Sequence, residues 1–323
     1  GQQATMCIST YTEELLRHYS RSMEKIAERL LGNRSNKSLP KIMTIILFGG
    51  SGRLGGALTR KLAPSHTVVC PTHTEVDITN LESINTYCTK YTPEMIINAA
   101  AYNNCDGAEG EGWTQAMLLN GRAPELIARY AATTKIPFIH FSTDYVFKGD
   151  NETGYTESEQ PSPINAYGWS KYIGEQSVER VYPQATIIRV SRLYGPGATS
   201  ANAKRSFVEI VQDLARKNQT FSINHSEYSS PTLVDDVALH LTQYILPNPP
   251  AGIFHMSNSG SCTWFEWAQE IVRLKNLAVT VTPTDPTTLN RPARRPQHSV
   301  LLSTKIPAMR SWQDALQDFL TKK

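Results

Sequence analysis

A chain of 323 residues with a net charge of +3 is long enough to bury one large α/β core with an added lobe, and it needs no disulfide staple. The charge is too small to mark a nucleic-acid partner, and the basic residues are scattered apart from Arg291, Arg294 and Arg295. No apolar run approaches the roughly 20 residues that span a bilayer, so no membrane partner is expected. The five cysteines, Cys7, Cys70, Cys88, Cys105 and Cys262, form no C-x-x-C pair and accompany no His cluster at ligand spacing. That usage predicts reduced thiols in a cytoplasmic protein and no bound metal.

In chain order, residues 1–41 read as an appendage. Thr10 and Glu13 have capping-box spacing, and Leu15, Tyr19, Met23, Ile26 and Leu30 recur at helical intervals until Gly32. The polar tract Asn33 to Ser38 follows as a linker. Glu13, Glu14, Glu24 and Glu28 are too acidic for a mitochondrial transit peptide. A helix packed on the domain or a free extension is expected, with a partner-binding helix as the alternative.

From Ile42 onward, short branched apolar runs alternate with amphipathic stretches, the rhythm of βαβ units. Ile42 to Phe48 is the first strand, Arg53 to Ala63 a helix that Pro64 stops, and Thr67 to Cys70 the second strand. Met95 to Ala101 and Phe138 to Ser142 supply further strands. Their nearly continuous apolar character predicts burial on both faces. The expected fold is α/β, a Rossmann-type doubly wound parallel sheet with a smaller C-terminal substrate lobe. The dinucleotide-binding part covers 42–193 and the lobe mainly 194–323, with chain returning to the sheet near 207–214 and 233–246. Trp264, Phe265 and Trp267 begin a helix packed within that lobe.

Between the first strand and its helix stands Gly49-Gly50-Ser51-Gly52-Arg53-Leu54-Gly55. Gly49 permits a tight turn, Gly52 lets backbone approach a pyrophosphate, Gly55 lets the helix pack on the sheet, and the helix N-terminus faces the anion. The carboxylate that binds an NAD ribose is missing after the second strand, where Cys70-Pro71-Thr72-His73 stands. Arg53 could instead meet a 2'-phosphate, which favours NADPH and leaves NADH open.

Tyr167 and Lys171 lie four apart on a helix expected over Asn165 to Arg180, hence on one face. A free phenol has a pKa of about 10. An ammonium about 4 Å away at an effective dielectric of about 20 would stabilise phenolate by roughly 4 kcal/mol, so Lys171 is expected to acidify Tyr167. Thr143 would then donate to a substrate carbonyl oxygen while Tyr167 protonates the developing alkoxide. Arg291, Arg294 and Arg295 suit either a nucleotide diphosphate or a solvated basic loop.

These residues resemble the extended short-chain dehydrogenase/reductase family, and within it the dTDP-4-dehydrorhamnose reductase branch. The likeness runs from Ile42 nearly to the C-terminus. It rests on Gly49 to Gly55, Asp77-Ile78, Asn98-Ala99-Ala100-Ala101-Tyr102, Asp106-Gly107-Ala108-Glu109, Ser142-Thr143-Asp144-Tyr145-Val146-Phe147, Tyr167 to Lys171, Arg189 to Gly195, Pro231-Thr232, and Arg295-Pro296 with Ser299-Val300-Leu301. The resemblance implies that Ser51, Gly52, Arg53 and Leu54 meet the cofactor, that Asp77 and Ile78 border its adenine, and that Ala99, Ala100 and Ala101 line it. It makes Thr143, Tyr167 and Lys171 the catalytic group, with Lys171 also on the nicotinamide ribose. Tyr102, Thr143, Asp144, Arg192 and Arg295 would face the nucleotide sugar, and dTDP-L-rhamnose would be the product. Arg192 stands where the branch commonly has Trp, and Asn103 and Asn104 replace small residues. A noncatalytic subunit resembling the methionine adenosyltransferase beta subunit, or a related sugar-nucleotide epimerase or reductase, remains open, as does a homodimer.

Overall fold

The computed structural model describes residues 41–199, 205–285, 287 and 290–321. The helix expected over Thr10 to Leu30 and the linker after it lie outside the described residues. The first half runs β1 (Thr44–Phe48), α1 (Arg53–Leu62), β2 (Thr67–Val69), α2 (Leu81–Tyr91), β3 (Met95–Asn98), α3 (Ala123–Thr134), β4 (Phe138–Thr143), α4 (Ala166–Val181) and β5 (Thr186–Val190). The second half supplies α5 (Phe207–Lys217), β6 (Thr220–Asn224), α6 (Val234–His240), β7 (Gly252–His255), α7 (Trp264–Leu274), β8 (Thr280–Thr284) and α8 (Trp312–Thr321).

Six strands form one sheet in the order β7-β5-β4-β3-β1-β2, and every neighbouring pair is parallel. Side chains alternate across each strand, so one strand serves two cores. Ile45 and Leu47 of β1 meet Ala57, Leu58 and Leu62 of α1 and Val237 and Ala238 of α6. Ile46 and Phe48 meet Ile84 of α2, Leu126 and Ile127 of α3 and Val178 of α4 on the other face. Helices on both faces explain why β1 and β3 carry consecutive apolar residues, Ile45 to Phe48 and Met95 to Ile97. The doubly wound α/β class expected from the βαβ rhythm is what the chain adopts.

The ends of the elements follow from local chemistry. Asn165 caps α4 with its side chain accepting from the Gly168 N–H at 2.7 Å. β3 stops at Asn98, short of the expected Ala101, and β1 starts at Thr44, leaving Ile42 exposed. Strand β7 had no signal in the sequence: four residues, Gly252–His255, return from the second half to pair with β5.

Of the two segments expected to come back to the sheet, Val234 to Leu246 lies against it, with Val234, Leu241 and Ile245 in the core beside α1. Phe207 to Leu214 does not. Its apolar face instead joins a third core, in which Val208 and Val211 of α5 pack with Tyr194, Phe221, Trp267, Ile271, Trp312 and Leu316. The amphipathic pattern of α5 gave a buried face without naming its partner. The helix expected after Trp264 is α7, opened by a Thr263/Glu266 capping box.

Trp267 is 1% exposed at the centre of this third core. Trp267→Ala should lower stability by about 3–5 kcal/mol in urea unfolding. A loss under about 1 kcal/mol would show that this core contributes little to the folded state.

Candidate active site

The glycine turn joins the C-terminal end of β1 to α1. Gly49 has φ +82°, a region that disfavours any side chain. A Cβ there would lie 2.5 Å from the Ala100 nitrogen and 2.6 Å from the Ala99 carbonyl carbon, so the turn rests directly on the chain leaving β3. At Gly55 a Cβ would stand 2.1 Å from the Gly49 oxygen, which lets α1 close onto the turn. The N-cap, Gly52, contributes no side-chain hydrogen bond, and the first turn of α1 carries no acidic residue. The leading N–H groups of a helix have no intrahelical acceptor and sit at its positive end. With no Cβ at Gly49 or Gly52 to obstruct it, this cradle fits the pyrophosphate of a dinucleotide.

Leu54 is buried beneath the turn and Ser51 is exposed on it. The Arg53 side chain has partners within the protein. Its guanidinium donates to the carbonyls of Gly195 at 2.5 Å and Pro196 at 3.0 Å, and reaches Glu209 at 3.2 Å. Arg53 thus ties α1 to the start of α5. Those acceptors lie more than 140 residues downstream, where local spacing offers no hint. Asp77 is exposed in the loop after β2 and accepts from the Thr79 N–H at 2.9 Å and hydroxyl at 2.7 Å, bonds that lower its pKa. Ile78 beside it is buried.

Ala99, Ala100 and Ala101 follow β3, all half-buried. Tyr102 is held by a side chain that sequence reasoning missed: Asn120 accepts from the Tyr102 N–H at 2.8 Å and donates to its carbonyl at 3.0 Å. Asn120 also donates to Ser170 of α4 at 2.9 Å, joining the loop after β3 to the helix of Tyr167. It sits on a π-helical turn, Met117–Arg122, whose wider bore is common at functional sites. The Tyr102 hydroxyl lies against Gly107 and Gly112.

Thr143 ends β4, and Tyr167 starts the second residue of α4. The Thr143 side chain faces the Tyr167 phenol closely enough to pull its pKa down. Thr143 Oγ1 also accepts from the Tyr145 N–H at 3.2 Å. One turn further along α4, Lys171 is 2% exposed, and its Nζ donates to the Phe141 carbonyl of β4 at 2.6 Å. Beneath it, the Asn98 amide donates to His140 Nδ1 at 3.2 Å in a fully buried pair. Burial, then the charge of Lys171, holds that imidazole neutral well below its usual range.

The expected acidification of Tyr167 does not occur. Burial pushes its phenol well above the usual range, reinforced by nearby Cys105 and Asp144, and only the Thr143 bond opposes the rise. Burial also pushes Lys171 down, to about 8, against the pull of Glu175. The simple estimate set one charge against a uniform dielectric and omitted the cost of sealing both groups from water. Tyr145, whose ring packs edge-on against Tyr167 at 5.9 Å, has its phenol raised by burial as well.

Three of the residues expected to face a substrate are Asp144, Arg192 and Arg295. Asp144 is 3% exposed, and its carboxyl is occupied: Thr143 donates to Oδ1 at 3.1 Å, while Ser191, Ser229 and Ser299 reach Oδ2 at 3.0, 3.3 and 2.6 Å. Arg192 has φ +40°, strained for a non-glycine residue. Its guanidinium donates to the carbonyls of Cys262 at 2.9 Å and Glu227 at 2.6 Å and stacks 4.1 Å over Trp264, an aromatic wall supplied from elsewhere in the chain. Arg295 pairs with Asp106 at 2.8 Å, and Arg291 with Glu227 at 2.5 Å. Arg294 lines an open cavity of about 570 Å³ with Trp113 and Trp169. Among the described residues, no group of three or more His, Cys, Asp or Glu is placed to hold a metal, and no helix is long and apolar enough to cross a membrane.

The family model of the RmlD substrate binding domain matches residues 43–323. The chain belongs to that family. Over 284 residues it is 33% identical to a probable dTDP-4,6-dihydroxy-2-methyloxan-3-one 4-ketoreductase of Streptomyces antibioticus, covering 85% of this chain and 94% of the relative. It is 32% identical to the dTDP-4-dehydrorhamnose reductase of Salmonella typhimurium over 82% of this chain and 91% of that enzyme. Among solved structures, the Bacillus anthracis dTDP-4-dehydrorhamnose reductase in complex with NADP superposes with a TM-score of 0.82 at 30% identity, over 88% of this chain and 100% of that one. The resemblance drawn from the motifs is therefore met by the fold and by relatives that are themselves reductases.

The depressed pKa of Lys171 has a consequence for stability. Folding costs more wherever the unfolded lysine is protonated and the buried one must carry charge. Lys171→Met should be about 1–3 kcal/mol more stable than the parent at pH 7, after allowing for the lost Phe141 bond. The parent regains stability as pH rises from about 8 towards 10.5, so the gap should close across that window. Denaturant melts at intervals of pH would check this; a gap that stays constant contradicts a buried ammonium.

Proposed function

We propose that this chain is an NADPH-dependent reductase of the 4-keto group of a nucleotide-linked 6-deoxyhexose, converting dTDP-4-dehydro-L-rhamnose to dTDP-L-rhamnose. The observation that carries this reading is the Thr143–Tyr167 hydroxyl pair beside the buried Lys171, on the same sheet end as a glycine cradle that fits a dinucleotide. Glycine turn, alanine segment and Thr143 all follow the C-terminal ends of neighbouring parallel strands β1, β3 and β4, where open α/β sheets bind ligands. NADP in the Bacillus anthracis neighbour supports the cofactor choice.

Gly49 to Gly55 would hold the pyrophosphate, Ala99 to Ala101 would line the dinucleotide, and Lys171 would reach its nicotinamide ribose. When bound, the reduced cofactor supplies hydride to the carbonyl carbon. Thr143 and Tyr167 then act on the carbonyl oxygen, Thr143 by turning its one hydroxyl proton from Asp144 Oδ1 to that oxygen and Tyr167 by giving up its proton to form the alcohol. A raised phenol pKa suits this direction of reaction, since Tyr167 stays fully protonated at neutral pH and is a ready donor. Lys171, charged below about 8, stabilises the tyrosinate left behind. Arg192, Arg295 and Tyr145 surround the sugar and diphosphate, while Asp144 acts by holding Thr143 and three serines in place.

A cytoplasmic homodimer completes the reading. Trp113 and Trp169 expose 42% and 46% of their surface around one cavity, an apolar face that a second copy would cover.

Purified protein mixed with dTDP-4-keto-6-deoxy-L-mannose should oxidise NADPH, with NADH followed in a parallel assay. Tyr167→Phe should lower kcat by about 10²–10⁴-fold while leaving cofactor affinity nearly unchanged. Absence of turnover with any keto-sugar nucleotide, in protein that binds the cofactor, would overturn the proposal in favour of a binding role.

A further inference from the structure

Tyr167, Lys171 and Glu175 are spaced four apart on α4 and share one face of the helix. Glu175 is 0% exposed, so its carboxyl has left water entirely. Arg189 of β5 grips it with both forks: Nε donates to Oε1 at 3.0 Å and a terminal amine to Oε2 at 2.6 Å. Arg189 is equally sealed and lies 5.0 Å over the Phe147 ring. A bidentate clamp of this kind fixes the rotamer of a carboxylate and gives it a charge partner out of water. A buried ion pair is a poor device for stability, because apolar residues of similar volume would serve as well. Its place one turn from Lys171 suggests a different purpose.

We propose that Glu175, clamped by Arg189, is a positioning residue that keeps Lys171 an ammonium within reach of Tyr167. The catalytic consequence rests on the reductase reading; the coupling of the two charges does not. Around Lys171, α4 presents the neutral Tyr167 phenol and Glu175, and β4 presents the Phe141 carbonyl and the neutral imidazole of His140. From β5 comes Arg189, whose charge is met by Glu175. Of these groups, Glu175 is the charge that favours a protonated amine, and burial opposes it. Loss of the Glu175 charge leaves burial unopposed by any other charge here and moves the Lys171 midpoint further down.

Direct titration of the Lys171 Nζ by NMR, with isotope-labelled lysine and Lys171→Met for assignment, decides the matter. In Glu175→Gln the Lys171 midpoint should fall by about one pH unit or more. Arg189→Met, which releases the Glu175 carboxyl from its clamp, should move it as well. The alkaline limb of kcat should shift to lower pH by the same amount in Glu175→Gln, with the parent rate recovered on acidification, a rescue that misfolding would not permit. An unchanged Lys171 midpoint in folded, cofactor-binding Glu175→Gln overturns the proposal. Should the parent reduce no keto sugar, the function proposed above fails, while the Lys171 midpoint still decides the coupling.

Discussion

An ammonium shut away from water has to find its solvation inside the protein, and Lys171 finds it at the Phe141 carbonyl and in the field of Glu175. Desolvating a charge costs several kcal/mol unless such partners exist. That requirement holds α4 tightly against β4. Since side chains on a strand share a face every second residue, Thr143 stands two positions beyond the carbonyl that anchors Lys171. One turn earlier on the helix, Tyr167 meets it. The hydroxyl pair is thus a consequence of where the lysine can be neutralised or solvated, and Asn120, bonded to Ser170 and Tyr102, carries the same constraint to the chain leaving β3.

The lobe is fixed to this assembly by polar contacts. Asp144 gathers hydroxyls from Ser191, Ser229 and Ser299, three separate segments, directly beside Thr143. Hydrogen bonds to a charged or partly charged carboxyl contribute about 1.5–3 kcal/mol each, against a desolvation cost that raises the Asp144 pKa. Arg53 makes a second tie, from the cofactor turn to the loop after Tyr194 and to Glu209 of α5. Arg295 with Asp106 makes a third. Each tie joins segments far apart in the chain by directional bonds, whereas apolar packing alone would allow them to slide.

Spacing along the chain revealed whatever was local. The cradle needs glycine at Gly49 and Gly55 for steric reasons that three-residue spacing exposes, and Tyr167 with Lys171 declares a shared helical face. Strand β7 was hidden because four residues carry no rhythm and its partner β5 lies more than sixty residues earlier. The protein partners of Arg53 and the serines around Asp144 lie far away in sequence and so left no local signal. The direction of the Tyr167 shift was missed for a different reason: burial, which outweighs the lysine, is a property of the assembled fold. Arg192 marks the limit in the other direction, since its departure from the family's Trp was visible, yet Trp264 restores an aromatic surface beside it only in three dimensions.

The central claim is that a carbonyl docks between the Thr143–Tyr167 hydroxyls and a dinucleotide held at the Gly49 turn. NADPH deuterated at the nicotinamide carbon, incubated with the dTDP-linked 4-keto-6-deoxyhexose, tests it most directly by NMR of the product. Deuterium bonded to C4 of the sugar, in parent protein and not in Tyr167→Phe over the same time, is the predicted result. Product lacking deuterium, or labelled equally in both proteins, would contradict the account.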